Sequence, residues 1–506
     1  MNSPHLGTLD IVILLCYVVT LAGIGWWAAR KTSKDNTDDY FLASRSIPWL
    51  ITTCSFLATV ISALTFVATP GEGYSADCKY LFSNIGDMAA CFFVAGFFLP
   101  AFQKARVTSI YELVQNRFGQ SVRTACSAYF LITRTLASTV RIVAIAKVVE
   151  VVTGNGLSFT TCVVGTVVVI LSYTVMGGGR AVAWTDTMQF FLLVGGALMA
   201  LGYIIHLVPG GVMGIIDAGT HAVDASGHVH NKFNFMEAFS GPNLTWVILL
   251  SVWAFFQSTA AYGCDQDMAQ RLLACNDNRK ARWSLMLSGL AGIPINCLFL
   301  FIGVGLYAYS RVHPEFVAGM ADPDHVFPRF ILTVLPEGLR GLLLAAVASA
   351  AMGSADSALA SLATAFVLDF YKPYFGAGGS ERRMVIVSKL SYVGFGIIFV
   401  ALAITIRSFD QLLWLSFKIV PYTYGPLLGV FLVGIMTDWK VRPGRMLALM
   451  FGTTLFFASL AITAYVLHDP LTPGSIWSLL HKDYWRLYVV FAALTVPFGS
   501  FFLRDR

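Results

Sequence analysis

Two carboxylates stand inside apolar runs, where an uncompensated charge costs several kcal/mol. Asp356 lies in "AAVASAAMGSADSALASLATAF", residues 345–366, and Asp186 lies near the start of the run 185–207. Small residues allow close helix contact, which accounts for the Ala, Gly and Ser of the first stretch. It does not account for Asp356. A third run, "FLATVISALTFVATPGEGYS" at 56–75, sets Thr59, Ser62, Thr65 and Thr69 among apolar residues and ends in Pro70, Gly71 and Gly73. One reading is structural, since Ser and Thr hydroxyls often bond back onto their own helix. The other is an unwound point. Backbone freed at membrane depth is tolerated only where it lines a cavity. Its carbonyls can then bind a cation, and half-helix N-termini can hold anionic solute groups. Hard cations prefer carbonyl, hydroxyl and carboxylate oxygens. Together these residues describe an alkali-ion site.

The elements that must position them are membrane helices. Of 506 residues, 57% are hydrophobic and 12% charged, with a mean hydropathy of +0.70. Soluble domains carry about 25% charged residues. Repeated apolar runs have the ~20-residue length that crosses a bilayer as a helix. The short alternating strands of a β-barrel are absent. Thirteen spans are predicted, at 8–29, 47–75, 80–103, 124–153, 159–177, 185–207, 243–265, 285–310, 338–371, 385–407, 412–437, 446–467 and 486–503. Alternate loops differ in charge, and most of the 34 Lys and Arg fall in one set. Positive loops face the cytoplasm. The N-terminus is therefore expected outside and the C-terminus inside, which requires an odd number of spans. The longest loop on the other side, 208–242, leaves no room for a soluble domain, so residues 1–506 read as one membrane domain.

Several classes are disfavoured. The start, "MNSPHLGTLD", has no basic stretch ahead of its apolar run and does not read as a signal peptide. The nine cysteines form no CxxC pair or metal-ligand spacing, so neither a disulfide framework nor a zinc site is indicated. The net charge of +6 sits in short interhelical loops and is not a nucleic-acid signal. HExxH and GxSxG are absent, which argues against a membrane enzyme. No filter-like repeat points to a channel. No cofactor is expected beyond a coupling ion. The expected partners are that ion, a small solute and the lipid bilayer, with the chain acting as a monomer. Short loops and the lack of an extended C-terminal region fit a bacterial inner membrane.

Five stretches carry a family resemblance: "DDYFLASRSIPW" (38–49), "TSIYELVQNRFG" (108–119), "MGGGRAVAWTDTMQ" (176–189), "GCDQDMAQRLLA" (263–274) and "MGSADSALASLATAFVLDFY" (352–371). In this order the chain resembles the sodium:solute symporter family. The resemblance implies an all-α integral membrane fold of about thirteen helices, with a LeuT-type inverted five-helix repeat and discontinuous helices. The repeats would be 47–207 and 243–437, with additional helices at 446–503. It also implies a sodium site built from the carbonyls of Ala58, Ile61 and Ala350 and two adjacent hydroxyls of the ninth span. Ser354 supplies one hydroxyl. Its neighbour is Gly353, where the family usually has Ser or Thr, and Asp356 is a candidate to compensate. A second ion site would use Asp186, Asp356 and Ser357.

By the same resemblance the solute sits at mid-membrane against Val60, Ser62, Thr65, Tyr80, Asn84 and Asp87. Asp265 of "GCDQ" falls where sugar-transporting members have a substrate-binding amide. The eleventh span, "LLWLSFKIVPYTYGPLLGVF" (412–431), adds Lys418, Tyr422 and Tyr424. Its Pro421, Gly425 and Pro426 suggest another broken helix, although Pro and Gly are also common in ordinary transmembrane helices. Arg134 and Arg141 are seven apart and share a helix face. Sialic-acid-transporting relatives hold the substrate carboxylate with an arginine that aligns between them. Alternatively Arg141 pairs internally and Arg134 snorkels. Lys418 could instead pair with Asp265, Asp356 or Asp87, and the two tyrosines could be packing residues. The implied function is sodium-coupled symport of a small polar solute: a sugar or polyol, sialic acid, or a monocarboxylate. Proton-coupled or uncoupled transport by the same fold and a transporter-like membrane sensor are the alternatives.

Overall fold

The computed structural model describes residues 6–33, 35–61, 63–152, 156–223, 228–234, 241–320, 322–376, 379–407, 410–466 and 487–504. For 63–64, 144, 148, 151–152, 241–243, 407, 410–419 and 464–466 it describes backbone alone. The helices that frame the site are α1 (Thr8–Lys31), α2 (Trp49–Val60), α3 (Ala63–Ser75), α4 (Ser83–Phe93), α5 (Gln120–Val152), α6 (Phe159–Leu207) and α7 (Gly241–Gly263). They continue with α8 (Gln266–Leu273), α9 (Asn278–Val312), α10 (Leu339–Ala365), α11 (Glu381–Arg407), α12 (Asp410–Met436), α13 (Pro443–Val466) and α14 (Tyr488–Leu503). Among the described residues, nine helical segments are long and apolar enough to cross a membrane, and the bent pair α2–α3 makes up to ten. The protein is an integral membrane protein.

The helix α6 covers two of the expected spans. Its 49 residues would reach about 73 Å if straight, against a hydrocarbon core of ~30 Å. Gly178 divides it, with φ 54 and ψ −145 inside the helix. A Cβ there would run into the carbonyl oxygen of Tyr40, and this backbone region is open almost to glycine alone. Gly178→Ala is therefore expected to destabilise by more than the ~1–3 kcal/mol of backbone strain. The readout is a lower melting temperature in detergent. Unchanged melting would show that the turn relaxes.

The break expected at Pro421, Gly425 and Pro426 is not found: α12 runs through all three. Gly425 instead lies against Ala492, and Gly429 against Val496, on the neighbouring α14. The small residues serve close packing, and prolines are tolerated where surrounding elements satisfy the freed backbone.

At the centre stands α10. Of the apolar window in its segment, 89% is buried inside the protein, against at most 65% in any other crossing. Its Ala, Gly and Ser residues let α1, α2, α3, α5, α6, α8 and α11 all pack on it. Asp10 fastens its start. This fully buried carboxylate accepts from the Gly338 and Gly341 amides, both at 2.8 Å, and from the Gly7 amide at 3.1 Å. A negative charge at a helix N-terminus also meets the positive end of the helix dipole. Asp10→Ala orphans these donors and should cost about 1–3 kcal/mol for the exposed deficit. A melting curve identical to that of the natural protein would contradict this.

Three of the quoted motifs interlock. Asp369 accepts from Ser109 at 2.9 Å, Ser127 at 2.8 Å and Arg123 Nε at 2.8 Å. Gln266 accepts from the Ile110 amide and donates to the Thr108 carbonyl, both at 2.9 Å. A buried charge is tolerated when it is paired and hydrogen-bonded in this way.

Candidate functional site

The helix α2 ends at Val60, and Ile61 leaves the helical region with φ −80 and ψ 85. Residue 62 lies outside the described residues, so nothing is assigned to Ser62. Beyond it α3 sets off at 60° to α2. Beside the break is a cavity of about 230 Å³. It brings together Val60, Thr65, Tyr80, Asn84 and Asp87. Sequence reasoning missed its other wall, made by Tyr262 on α7 and by Ser288 and Asn296 on α9. A lone amide in the long apolar run of α9 was the available signal for Asn296.

The polar groups of the cavity are partly spent. Asp87 Oδ1 accepts from the Ser258 hydroxyl. Asn84 Nδ2 donates to the Leu81 carbonyl at 3.1 Å, and Asn84 Oδ1 accepts from Asn296 Nδ2 at 2.6 Å. Ser288 donates to the Ser284 carbonyl on its own helix at 2.8 Å.

Four other candidates are not among the residues lining this cavity. Arg134 forms ion pairs with Asp267 and, at 3.5 Å, with Asp265. Asp265 also accepts from the Tyr424 hydroxyl and caps α8 by accepting from the Asp267 amide at 2.8 Å. These groups neutralise one another, as buried charges must. Arg134 therefore does not snorkel, and Asp265 does not stand free as a solute ligand. Tyr422 packs on Tyr488, with ring centroids 5.6 Å apart. Arg141 is half-buried, and its Nη1 has no hydrogen-bond partner among the described residues. The side chain of Lys418 lies outside the described residues.

On another side of the break, α10 packs against α2 and α3. Ala58, Ile61, Ala350, Gly353 and Ser354 are all buried there. The Ser354 hydroxyl turns onto its own helix, 3.2 Å from the Ala351 carbonyl and 3.4 Å from that of Ala350. Asp186 is fully buried. Its Oδ2 accepts from Ser55 at 2.6 Å and from Arg271, while Oδ1 has no partner among the described residues. Gln189 stands three residues further along α6. Its Nε2 lies 3.3 Å from the Tyr17 hydroxyl, and its Oε1 likewise has no partner.

Both acceptors lie against Gly353, and Gln189 Oε1 occupies the place a side chain there would take. A Cβ there would lie 3.2 Å from Asp186 Oδ1 and closer still to Gln189 Oε1. Asp356 is differently placed. Its Oδ2 accepts from Tyr173 at 2.7 Å, and its Oδ1 from the Ser357 amide at 2.6 Å. The Ser357 hydroxyl donates to the Gly353 carbonyl at 2.9 Å. A gap of about 30 Å³ adjoins, between Ser55, Asp267, Arg271 and Ser357. Sequence reasoning assigned no role to Gln189 or Arg271. The first was legible, because positions three apart share a helix face. Two oxygens without donors, one of them anionic, can receive a small cation and cannot serve an anion.

A substrate-bound, outward-open sodium-coupled sialic acid symporter has a similar structure, with a TM-score of 0.79 at 22% identity, over 98% of this chain and 97% of that one. At that identity the likeness is one of fold. The sodium/sialic acid symporter NanT of Aliivibrio fischeri is 27% identical over 442 residues, 86% of this chain and 84% of its own. The sodium/glucose cotransporter of Vibrio parahaemolyticus is 28% identical over 460 residues, 87% of this chain and 82% of its own. Residues 40–452, most of the chain, match the sodium:solute symporter family, and the protein belongs to that family of transporters.

Proposed function

We propose that the protein is a secondary active transporter that couples sodium entry to uptake of a small polar organic solute. The observation that carries this reading is the pair Asp186 Oδ1 and Gln189 Oε1, acceptors without a partner among the described residues, beside Gly353 on the most buried of the membrane-crossing segments described. A buried acceptor without a donor is costly. A sodium ion offers both oxygens a partner, and Asp356 and Ser357 belong to the same site. The carbonyls of Ala58, Ile61 and Ala350, with Ser354, form the main sodium site. The last carbonyls of a helix lack intrahelical partners, so the end of α2 has ligands to give.

The solute occupies the cavity on the other side of the same break, against Val60, Thr65, Tyr80, Asn84 and Asp87. Ion and solute thus gather around one interrupted helix. Each favours the arrangement the other needs, which is a reciprocal coupling free energy. Alternating access follows from rocking of the repeats 47–207 and 243–437 around the fixed site, with 446–503 as additional helices. The N-terminus faces outside and the C-terminus the cytoplasm of a bacterial inner membrane, and the unit is a monomer. Relatives named for sialic acid, glucose and monocarboxylate set the range of solutes.

The test is uptake by reconstituted vesicles of labelled glucose, sialic acid, lactate and an amino sugar. An inward sodium gradient should drive accumulation of the accepted solute. Accumulation that ignores sodium and collapses with a protonophore would contradict this reading and make Asp356 the candidate proton carrier.

A further inference from the structure

We infer that the solute carries a cationic nitrogen, which Asp87 receives in the 230 Å³ cavity. This rests on the cavity being the solute site. Asp87 accepts one hydrogen bond, from Ser258, and makes no ion pair with any Lys, Arg or His among the described side chains. Arg134, the carboxylate-binding candidate, is committed elsewhere, to Asp265 and Asp267. A carboxylate at membrane depth with no counter-charge is unfavourable until a ligand brings one.

The two side-chain amides of the wall point the same way. The Leu81 carbonyl fixes the amide of Asn84, because only the Nδ2 side can donate to it. Asn84 therefore presents its oxygen to Asn296, which must answer with Nδ2. That leaves Asn296 Oδ1 as an acceptor on the cavity wall. Asp87 Oδ2 is a second. The hydroxyls of Thr65, Tyr80 and Tyr262 can donate or accept, so Asp87, the charged side chain among the described lining residues, decides the sign of the ligand. The rings of Phe56, Tyr80 and Tyr262 line the same space, and aromatic faces attract cations. A neutral polyol could donate to Asp87 but would leave its charge uncompensated. A carboxylate without an amine would add a second negative charge beside it. The volume is that of about eight waters at ~30 Å³ each, so the ligand is a small molecule.

The test uses the purified full chain in detergent with sodium chloride, and calorimetric binding of a panel in three groups. These are ammonium-bearing solutes, neutral polyols and amine-free carboxylates, with glucosamine, glucose and glucuronate as a matched set on one ring. Binding is expected only in the first group. Asp87→Asn should weaken it roughly 10- to 100-fold, the range of a charged hydrogen bond. Asp87→Glu keeps the charge and should retain weaker binding. Sodium-dependent stabilisation should survive in both variants, which reports folding and tests the ion reading separately.

Four results would overturn the inference. Tight binding of a polyol or amine-free acid unaffected by Asp87→Asn is the first. Failure of every ammonium-bearing member is the second. Rescue of Asp87→Asn by Lys418→Met is the third, because the counter-ion would then belong to the protein. Loss of sodium-dependent stabilisation in folded Asp87→Asn is the fourth, because Asp87 would then be a sodium ligand.

Discussion

Arg134→Met should yield protein that is poorly folded or destabilised by about 3–5 kcal/mol, the usual result of leaving a buried charge uncompensated. The substitution strips Asp265 and Asp267 of the guanidinium that both face. Asp267 keeps Arg271 at 3.5 Å, and sodium should not rescue the variant, since the stranded carboxylate, Asp265, is not one of those beside Gly353. Arg134→Lys should retain part of the stability, because an ammonium supplies the charge without the planar fork that meets two carboxylates at once. Melting curves in detergent with and without sodium measure this directly. A stable Arg134→Met variant with altered solute selectivity would instead return Arg134 to the solute site.

Arg271→Met is expected to be equally costly in sodium-free buffer and to behave differently when sodium is added. Arg271 donates to Asp186 and Ser55 and lies 3.5 Å from Asp267. Without it Asp186 keeps one hydroxyl donor, from Ser55. A cation at this carboxylate then becomes the main source of neutralisation. A ligand that binds only the folded state adds about 2.7 kcal/mol at a hundred times its Kd. The melting temperature of Arg271→Met should therefore climb more steeply with sodium than that of the natural protein, and potassium should not reproduce the climb. Parallel slopes in the two proteins would separate Asp186 from the sodium site.

The different fates of these arginines show what the sequence could and could not supply. Helical spacing placed Arg134 and Arg141 on one face, but a face does not name a partner. The partners, Asp265 capping α8 and Asp267 in its first turn, are more than a hundred residues away in the chain. Hydroxyls followed by Pro and Gly in 56–75 marked an interruption, and the helix does break between Val60 and Ala63. The same kind of signal in 421–426 did not produce one, because Gly425 and Gly429 are used to seat α14. Gly alone does not distinguish a break from a contact. Asp186 and Asp356 were visible as charges in grease. Their inequality was not: Asp356 has donors on both oxygens, while Asp186 keeps one oxygen open. That difference depends on Tyr173, Ser55 and Arg271, which only tertiary packing brings to them.

Equilibrium binding of radioactive sodium to the purified protein, compared with Asp186→Asn, tests the central claim most directly. The variant keeps the side-chain volume and the Ser55 contact while removing the anionic ligand. Saturable binding is expected in the natural protein, with displacement by unlabelled sodium and not by potassium. At least tenfold weaker binding is expected in Asp186→Asn, about 1.4 kcal/mol or more. Identical isotherms for the two proteins, or no saturable binding in either, would contradict a sodium site beside Asp186 and Gly353.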